Sequence, residues 1–144
     1  MAYTYEYARP MVCVDIIVYK IENTFPTHIL LIERKNDPHK NCWALPGGFI
    51  EMEEDLVVSA YRELEEETNI SGIQLEQLKT YGKPGRDPRG RTISVVFYGE
   101  ASHKTEFKAG DDAADAQWVS LSELPDLAFD HKLIVDDFLK QINS

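Results

Sequence analysis

Residues 47–70, GGFIEMEEDLVVSAYRELEEETNI, join a glycine pair to an acidic segment with a helical pattern of apolar residues. From Glu54 onward, apolar side chains recur at steps of three and four, at positions 56, 57, 60, 61 and 64. That spacing is the period of an α-helix, and no proline or glycine interrupts it before residue 69. The segment is therefore predicted to form an amphipathic helix that is entered through a glycine turn.

The carboxylates of this helix are grouped on one side. Because each residue advances an α-helix by about 100°, Glu63, Glu66 and Glu67 share about one third of its circumference. Like charges at this spacing repel one another, and a bound cation would relieve the repulsion. Oxygen donors of this kind suit hard divalent ions such as Mg²⁺. A solvated acidic helix is the alternative interpretation, because most charge-rich helices are of that kind.

Two neighbouring features support a cation site. Arg62 lies four residues before Glu66 and eight after Glu54, so it can tie the acidic segment together by ion pairs. Gly47 and Gly48 have no side chains, and their backbone can approach a metal or a phosphate closely. A tight turn without a ligand is the alternative for the glycine pair taken alone.

Length and composition restrict the class of protein. The chain has 144 residues, 43% of them hydrophobic, and a formal net charge of −10. These values predict one globular domain over residues 1–144, and the negative charge disfavours nucleic acid and anionic membranes as partners. No apolar run is long enough to cross a bilayer. The amino terminus lacks a secretory pattern, and Cys13 and Cys42 lack metal or disulfide spacing, so a cytoplasmic protein with free thiols is expected.

Strand and helix patterns alternate along the rest of the chain. Runs rich in β-branched and aromatic residues predict strands near residues 11–20, 28–35, 43–45, 73–81, 92–101 and 116–121. A carboxyl-terminal helix is predicted from an N-cap at Asp130 through about Gln141. Strands on both sides of a central helix, followed by this second helix, favour a mixed-sheet α/β or α+β sandwich.

The segment GKPGRDPRGRTISVVFYG, residues 82–99, concentrates positive charge in an acidic protein. Arg86, Arg89 and Arg91 lie among prolines and glycines that favour a loop. Guanidinium groups bind phosphates through paired hydrogen bonds, so this loop is a candidate substrate clamp. The alternative is a charged surface hairpin in which Asp87 pairs with one of the arginines.

Residues 48–70 resemble the Nudix box, G-x5-E-x7-R-E-U-x-E-E-x-G-U, in which U is aliphatic. Eight of the nine specified positions match: Gly48, Glu54, Arg62, Glu63, Leu64, Glu66, Glu67 and Ile70. The departure is Asn69, where the family has glycine. This position is expected to end the helix in a left-handed conformation, which asparagine tolerates better than other non-glycine residues. Asn69→Gly is therefore expected to raise the melting temperature slightly.

The resemblance to Nudix hydrolases implies a fold, a reaction and a set of ligands. The implied fold is an α/β/α sandwich with a mixed β-sheet, and the implied reaction is metal-dependent hydrolysis of a nucleoside diphosphate linked to another moiety. Mg²⁺ is the implied ion, and Mn²⁺ can substitute for it. The implied catalytic residues are Arg62, Glu63, Glu66 and Glu67. The three glutamates and the Gly47 carbonyl are the implied metal ligands, and Glu54 has a supporting role.

The outer segments are similar to the ADP-ribose pyrophosphatase branch of that family. The similarity rests on WALPGGF at 43–49, RDPRGR at 86–91 and LPDLAFDH at 124–131. It implies cleavage of ADP-ribose to AMP and ribose 5-phosphate. The implied substrate-binding residues are Arg86, Arg89, Arg91 and Gly48.

Several roles stay open at this point. The attacking water needs a base, for which Glu63, Asp111 and Asp112 are candidates, with Asp112 placed as a supporting residue. His131 follows a predicted N-cap, which favours a role at the helix start over a catalytic one. A small-molecule nucleotide is the expected partner. The alternating tyrosines of residues 3–7 are consistent with an edge strand or with the contact of a homodimer. Another nucleotide substrate, or a non-catalytic sensor of ADP-ribose, is the alternative function.

Overall fold

A computed structural model describes residues 2–102, 104–110 and 113–143 of the chain. The strands are β1 Met11–Glu22, β2 Phe25–Arg34, β3 Trp43–Ala44, β4 Gly47–Phe49, β5 Glu76–Tyr81, β6 Thr92–Glu100 and β7 Ala113–Ser120. The helices are α1 Leu56–Thr68 and α2 His131–Ile142, and a 3-10 turn spans Leu121–Glu123. None of the helices in these described ranges is long and apolar enough to span a membrane.

Strand β1 is the centre of a mixed sheet with the order β3-β2-β1-β6-β5. It runs parallel to β6 from Met11↔Thr92 to Tyr19↔Glu100 and antiparallel to β2. The short strand β4 pairs with the first half of β1, and β7 pairs with β2. One parallel pair among antiparallel ones makes the sheet mixed, as predicted.

The two faces of β1 are covered by different helices. Val14, Ile16 and Val18 share a core cluster with residues of α1, including Leu64. The intervening Ile17 and Tyr19 belong to a second cluster that contains Ile134, Val135 and Phe138 of α2. A strand buried on both faces needs a continuous apolar run rather than an alternating one, which explains MVCVDIIVYK. The predicted α/β/α sandwich is confirmed.

Helix α1 begins and ends at residues with capping conformations. Asp55 has φ −66° and ψ 155°, and its side chain accepts a hydrogen bond of 2.6 Å from the backbone N–H of Leu56. The helical apolar spacing was counted from Glu54 onward, but the helix itself begins two residues later, at Leu56, because Asp55 is the N-cap. At the other end, Asn69 has φ 60° and ψ 18°, which is the predicted left-handed conformation.

Two other sequence expectations change in detail, and a third is confirmed. Strand β5 begins at Glu76 instead of residue 73, and Ile73 and Leu75 instead enter the core from the preceding loop. Residues 2–10 form no strand, although the rings of Tyr3 and Tyr5 stack with centroids 6.2 Å apart. Both cysteines are free thiols, as predicted.

The side chain of Asn69 makes a contact that sequence alone does not reveal. Its Nδ2 donates a hydrogen bond of 2.7 Å to the carbonyl of Lys108, which lies in the loop that follows β6. Asn69→Gly would relieve the left-handed backbone but lose this bond. The gain and the loss are each of the order of 1 kcal/mol, so they should offset.

We therefore predict that Asn69→Gly changes the melting temperature little, in place of the slight rise expected from sequence. Asn69→Ala loses the bond and puts alanine, which tolerates the left-handed region less well than asparagine, at φ 60°, so it should lower the free energy of unfolding by about 1–2 kcal/mol. Urea unfolding of the three proteins measures both effects. An Asn69→Ala variant as stable as the wild type would contradict the cap assignment.

Candidate active site

A cleft of about 470 Å³ lies where β1, β4 and α1 meet the loops that follow β2 and precede β6 and α2. Its lining includes every implied metal-binding and catalytic residue, namely Gly47, Arg62, Glu63, Glu66 and Glu67, together with Gly48. Arg86 and Arg89 line it as well. The fold therefore brings the acidic helix, the glycine pair and part of the arginine loop to one place.

The guanidinium of Arg62 connects four groups around this cleft. Its Nε lies 2.9 Å from both carboxylate oxygens of Glu54, and its Nη1 lies 2.8 Å from Glu63 Oε1 and 3.2 Å from Glu66 Oε2. Its Nη2 donates to the Phe49 carbonyl at 3.1 Å. Burial by itself lowers the pKa of Arg62, but the bonds to Glu63 and Glu54 outweigh it and raise the pKa. Arg62 therefore forms ion pairs with Glu54 and Glu66, as the sequence suggests.

Glu54 is itself held in place on the solvent side of this network. The hydroxyl of Ser59 donates to its Oε1 at 2.7 Å. This bond lowers the pKa of Glu54, and Arg62 lowers it further against the effect of desolvation. The carboxylate is thus kept ionised as the partner of Arg62. Glu54 supports the site without being part of the cleft lining among the described residues.

The glycine pair packs against two buried carboxylates. Glu63 is 8% exposed and Glu67 is 5% exposed. The backbone N–H of Gly47 donates to Glu67 Oε1 at 3.1 Å. A Cβ on Gly48 would lie 2.4 Å from the carboxylate carbon of Glu63, so only glycine fits while that carboxylate keeps its position. Gly48 is therefore required by close approach to the acidic helix, whereas Gly47 is required by close approach to Val14 and Asp15 of β1.

The donor set fits a hard divalent cation in its chemistry. All the implied ligands are oxygen atoms on one wall of the cleft, which is the set that Mg²⁺ and Mn²⁺ prefer. Within the described ranges, however, no three His, Cys, Asp or Glu side chains already form a group able to hold a metal. Glu63 and Glu66 instead share Arg62, and Glu67 accepts from Gly47. Joint coordination of an ion requires these carboxylates to rotate.

Arg86 is engaged inside the protein. Its side chain is 5% exposed and donates to both carboxylate oxygens of Asp130, at 2.8 and 2.7 Å. Its Nη1 donates to the hydroxyl of Ser94 at 2.8 Å. Asp130 occupies the predicted N-cap position of α2, but its side chain makes no capping hydrogen bond. The carboxylate binds Arg86 instead.

The other two arginines of the loop differ in position. Arg89 forms a bidentate pair with Asp87 through Nε at 3.1 Å and Nη2 at 2.8 Å, and it faces the cleft. Arg91 is exposed and donates to the carbonyl of Gly82, and it is not part of the described cleft lining. The alternative of a charged surface hairpin predicted that Asp87 pairs with one arginine, and this pair is present. A surface hairpin would leave Asp87 exposed, however, whereas Asp87 is only 6% exposed. Substrate contacts of these arginines stay a prediction.

His131 is a cleft residue whose position the sequence did not reveal. It is 3% exposed, and its Nδ1 accepts a hydrogen bond of 3.0 Å from the backbone N–H of Leu45. Its Nε2 lies 3.6 Å from Asp15 Oδ1. Burial lowers the pKa of His131, although Asp15 and Asp130 oppose the shift. The ring is therefore neutral near pH 7, with its proton on Nε2, and it holds Leu45, which lies between β3 and β4 just before Gly47.

Sequence reasoning also missed Asp15, Arg34 and Phe129, which all line the cleft. Asp15 could have been identified from the sequence as a candidate site residue, because it is an acidic residue inside the apolar run of β1. The other two had no comparable signal. The proposed bases Asp111 and Asp112 lie outside the described residues. The loop before them is attached to α1, since Gly110 N–H donates to the Glu67 carbonyl at 2.7 Å.

Comparison with known proteins identifies the family. The family model for the NUDIX domain matches residues 9–140. An ADP-ribose pyrophosphatase from Methanocaldococcus jannaschii is 44% identical over 137 residues, which cover 95% of this chain and 78% of that protein. The chain belongs to the Nudix family.

Two solved structures share the fold. The NUDIX domain of Shewanella oneidensis NrtR in complex with ADP ribose matches with a TM-score of 0.84 and 28% identity, covering 94% of this chain and 90% of that one. A bifunctional NMN adenylyltransferase/ADP ribose pyrophosphatase from Francisella tularensis, in complex with AMP and a Mn ion, matches with a TM-score of 0.81 and 34% identity. The match covers 96% of this chain but 43% of the bifunctional protein.

The two glycines allow a matched test of this packing. A Cβ on Gly47 would lie 2.2 Å from the Val14 carbonyl, which is backbone, whereas the three atoms nearest to a Cβ on Gly48 all belong to the side chain of Glu63. We predict that Gly47→Ala lowers the free energy of unfolding by about 2–3 kcal/mol and Gly48→Ala by less than about 1 kcal/mol. Urea unfolding measures the difference. Equal losses would show that the carboxylate of Glu63 cannot move.

His131 should make stability depend on pH. Its folded-state pKa is lowered, so below the ordinary value of about 6.5 the unfolded chain binds a proton that the folded protein resists. Stability is then lost as pH falls below about 6.5, with a slope of up to about 1.4 kcal/mol per pH unit. His131→Asn keeps an acceptor for Leu45 N–H without the titration. Unfolding free energies between pH 7 and 5 should fall less steeply in this variant, and parallel curves would refute the assignment.

Proposed function

We propose that this chain hydrolyses the pyrophosphate bond of ADP-ribose to give AMP and ribose 5-phosphate. The observation that carries the proposal is the cleft in which the carboxylates of α1, the glycine pair and Arg89 face one another. Its oxygen donors suit a metal and its guanidinium suits a phosphate. The similarity to an ADP-ribose pyrophosphatase at 44% identity supports this substrate.

Mg²⁺ is the proposed metal ion, with Mn²⁺ able to substitute. Glu63, Glu66, Glu67 and the Gly47 carbonyl would hold it, in keeping with the Mn ion in the Francisella tularensis structure. When bound, such an ion polarises the phosphate and lowers the pKa of a bound water. The cation would also take over the neutralising role that Arg62 performs for Glu63 and Glu66.

The protein's own groups then position the reactants. Arg62 holds the helix to the Phe49 carbonyl, so the carboxylates and the glycine turn keep their relative orientation. Gly48 lets the backbone of β4 lie close to the carboxylate of Glu63, and its backbone is the part proposed to contact the substrate. Arg89 supplies hydrogen bonds to phosphate oxygens, where negative charge is concentrated. Glu63, Asp111 and Asp112 remain the candidate bases that take a proton from the attacking water.

A non-catalytic sensor is the second candidate function. The supporting observation is the similarity to an NrtR domain that was solved with ADP ribose bound. A third possibility is another nucleotide substrate of a Nudix hydrolase, since the box itself does not select the group attached to the diphosphate. A cytoplasmic location and a homodimer remain expectations, and the net charge of −10 disfavours nucleic acid as a partner.

The proposal predicts a substrate preference. In the presence of Mg²⁺, purified protein should release AMP from ADP-ribose faster than it hydrolyses nucleoside triphosphates or dinucleotides, as measured by chromatography of the products. Loss of a residue that only hydrogen-bonds to a metal ligand lowers activity roughly 10–100-fold. Glu66 is a proposed direct ligand, so Glu66→Gln should lower kcat by more than that.

Glu65→Gln is the matched control, because it removes the same charge from an exposed position on the same helix outside the cleft lining. Its kcat should equal that of the wild type. Turnover that Glu66→Gln leaves intact would refute the assigned metal site. Binding of ADP-ribose without any turnover would favour the sensor.

A further inference from the structure

Asp15 is a charged residue in the middle of the buried strand β1. Its chain neighbours Val14 and Ile16 are fully buried, and Asp15 itself is 7% exposed. Burial of a carboxylate costs free energy unless hydrogen bonds or opposite charges compensate for it. An apolar side chain would fill this position at a lower cost, so the presence of a carboxylate requires another reason.

The fold places the carboxylate of Asp15 in the cleft. Side chains alternate between the two faces of a strand, and Asp15 shares the face of Ile17, which belongs to the core cluster packed on α2. Asp15 lines the cleft instead. The register pairs Asp15 with Gly47, and a Cβ on that glycine would lie 2.4 Å from Asp15 Oδ1. The carboxylate therefore lies beside the proposed metal and diphosphate site.

The carboxylate of Asp15 has unused capacity to accept hydrogen bonds. The Nε2 atom of His131 lies 3.6 Å from its Oδ1, which is too long for a hydrogen bond. Among the described residues, none is found to donate a hydrogen bond to this side chain. A carboxylate can accept about four hydrogen bonds through its two oxygens. Because the side chain is only 10% exposed and lines the cleft, these acceptors are available there to a ligand.

Neighbouring cations offset the charge of Asp15 without bonding to it. Arg34, Arg86 and Arg89 all lie within electrostatic reach of the carboxylate. The hydrogen bonds of Arg86 go to other side chains, and Arg89 pairs with Asp87. The surroundings therefore favour a negative charge at this position, while both oxygens of Asp15 remain available.

The chemistry of a carboxylate restricts the group that Asp15 can bind. An ionised carboxylate only accepts hydrogen bonds, so its ligand must supply donors. The two phosphates of ADP-ribose are ionised near pH 7 and supply none. A ribose presents two adjacent hydroxyl groups that match the two oxygens of one carboxylate, and acidic residues of dinucleotide-binding folds bind ribose hydroxyls in this way. The amino group of adenine directs its two N–H bonds apart and does not match both oxygens.

We propose that Asp15 accepts hydrogen bonds from the hydroxyl groups of a ribose of the substrate and thereby selects for an intact ribose. The identity of the substrate rests on the proposed function, whereas the position and the free acceptors of Asp15 do not. Both riboses of ADP-ribose are joined to the diphosphate, so either can lie at Asp15 while the phosphates lie beside the carboxylates of α1. The experiment distinguishes the two riboses.

The test compares ADP-ribose with two analogues, one lacking the 2-hydroxyl of the adenosine ribose and the other lacking that of the terminal ribose. With wild-type protein, kcat/KM for one analogue should be about 10-fold or more below that for ADP-ribose. Asp15→Ala should lower kcat/KM for ADP-ribose by a similar factor and hydrolyse that analogue equally well, because the hydroxyl has lost its partner. Asp15→Asn keeps one acceptor oxygen and should be intermediate.

Cys13→Ala is the matched control, because Cys13 lines the cleft from the same face of β1 and is also 7% exposed. It should keep the wild-type preference for ADP-ribose. Thermal unfolding identifies a loss of fold, and Asp15→Asn keeps the test valid if Asp15→Ala is unstable. Titration with Mn²⁺, followed by electron paramagnetic resonance, should give the wild-type Kd for Asp15→Ala.

A preference for ADP-ribose over the analogues that persists in Asp15→Ala would overturn the proposal, as would wild-type protein that does not discriminate. Weaker Mn²⁺ binding in Asp15→Ala would assign the carboxylate to the metal and overturn it as well. Calorimetry of the same three compounds in EDTA separates these outcomes from failure of the proposed function. A protein that binds ADP-ribose without hydrolysing it, with a Kd preference that is lost in Asp15→Ala, would refute the reaction and support the role of Asp15.

Discussion

The guanidinium of Arg62 holds three carboxylates and one carbonyl of β4 in fixed positions, and the geometry of the site depends on it. Without this cation, Glu63 and Glu66 would repel each other on adjacent turns of α1. The side chain of Arg62 is 23% exposed, so solvent screens each ion pair, but a planar group with four partners is more restrictive than a single pair. The bond to the Phe49 carbonyl links the helix to β4.

Charge is distributed to suit an anionic ligand in an acidic protein. The chain carries a net charge of −10, so a nucleotide is repelled on average. Inside the cleft, arginines offset this average repulsion. The positive charge of each arginine is reduced by a neighbouring carboxylate or by burial. Arg86 is neutralised by Asp130 and Arg89 is partly neutralised by Asp87. Under the proposed function, a divalent cation bound to the acidic helix would offset its negative charge next to the diphosphate.

Much of the fold and the helix side of the site could be predicted, because the signals are local. The 3.6-residue period located α1, and the αL tolerance of asparagine predicted the conformation of Asn69. The β-branched runs located β1, β2 and β6. The N-cap role of Asp55 was not predicted, since a single Asp before a helix can be either a cap or a solvated acid until the backbone is known.

The three arginines of the loop before β6 have positions that local sequence could not predict. Arg86, Arg89 and Arg91 have the same local context, yet one is buried on a carboxylate, one faces the cleft and one lies outside it. The difference comes from Asp130, which is 44 residues from Arg86 and reaches it only because α2 packs beside the loop. Arg34 and Phe129 likewise became partners through the sheet and α2.

By itself, the sequence determined most of the strands and helices, the order of the carboxylates along α1 and the identity of the family. Each of these depends on residues that are close together in the chain or on a continuous sequence pattern. Tertiary structure alone decided which charges face the cleft and which are neutralised inside the protein. That choice depends on packing between segments far apart in the chain, and burial and pairing, rather than residue type, set the charge that a ligand meets.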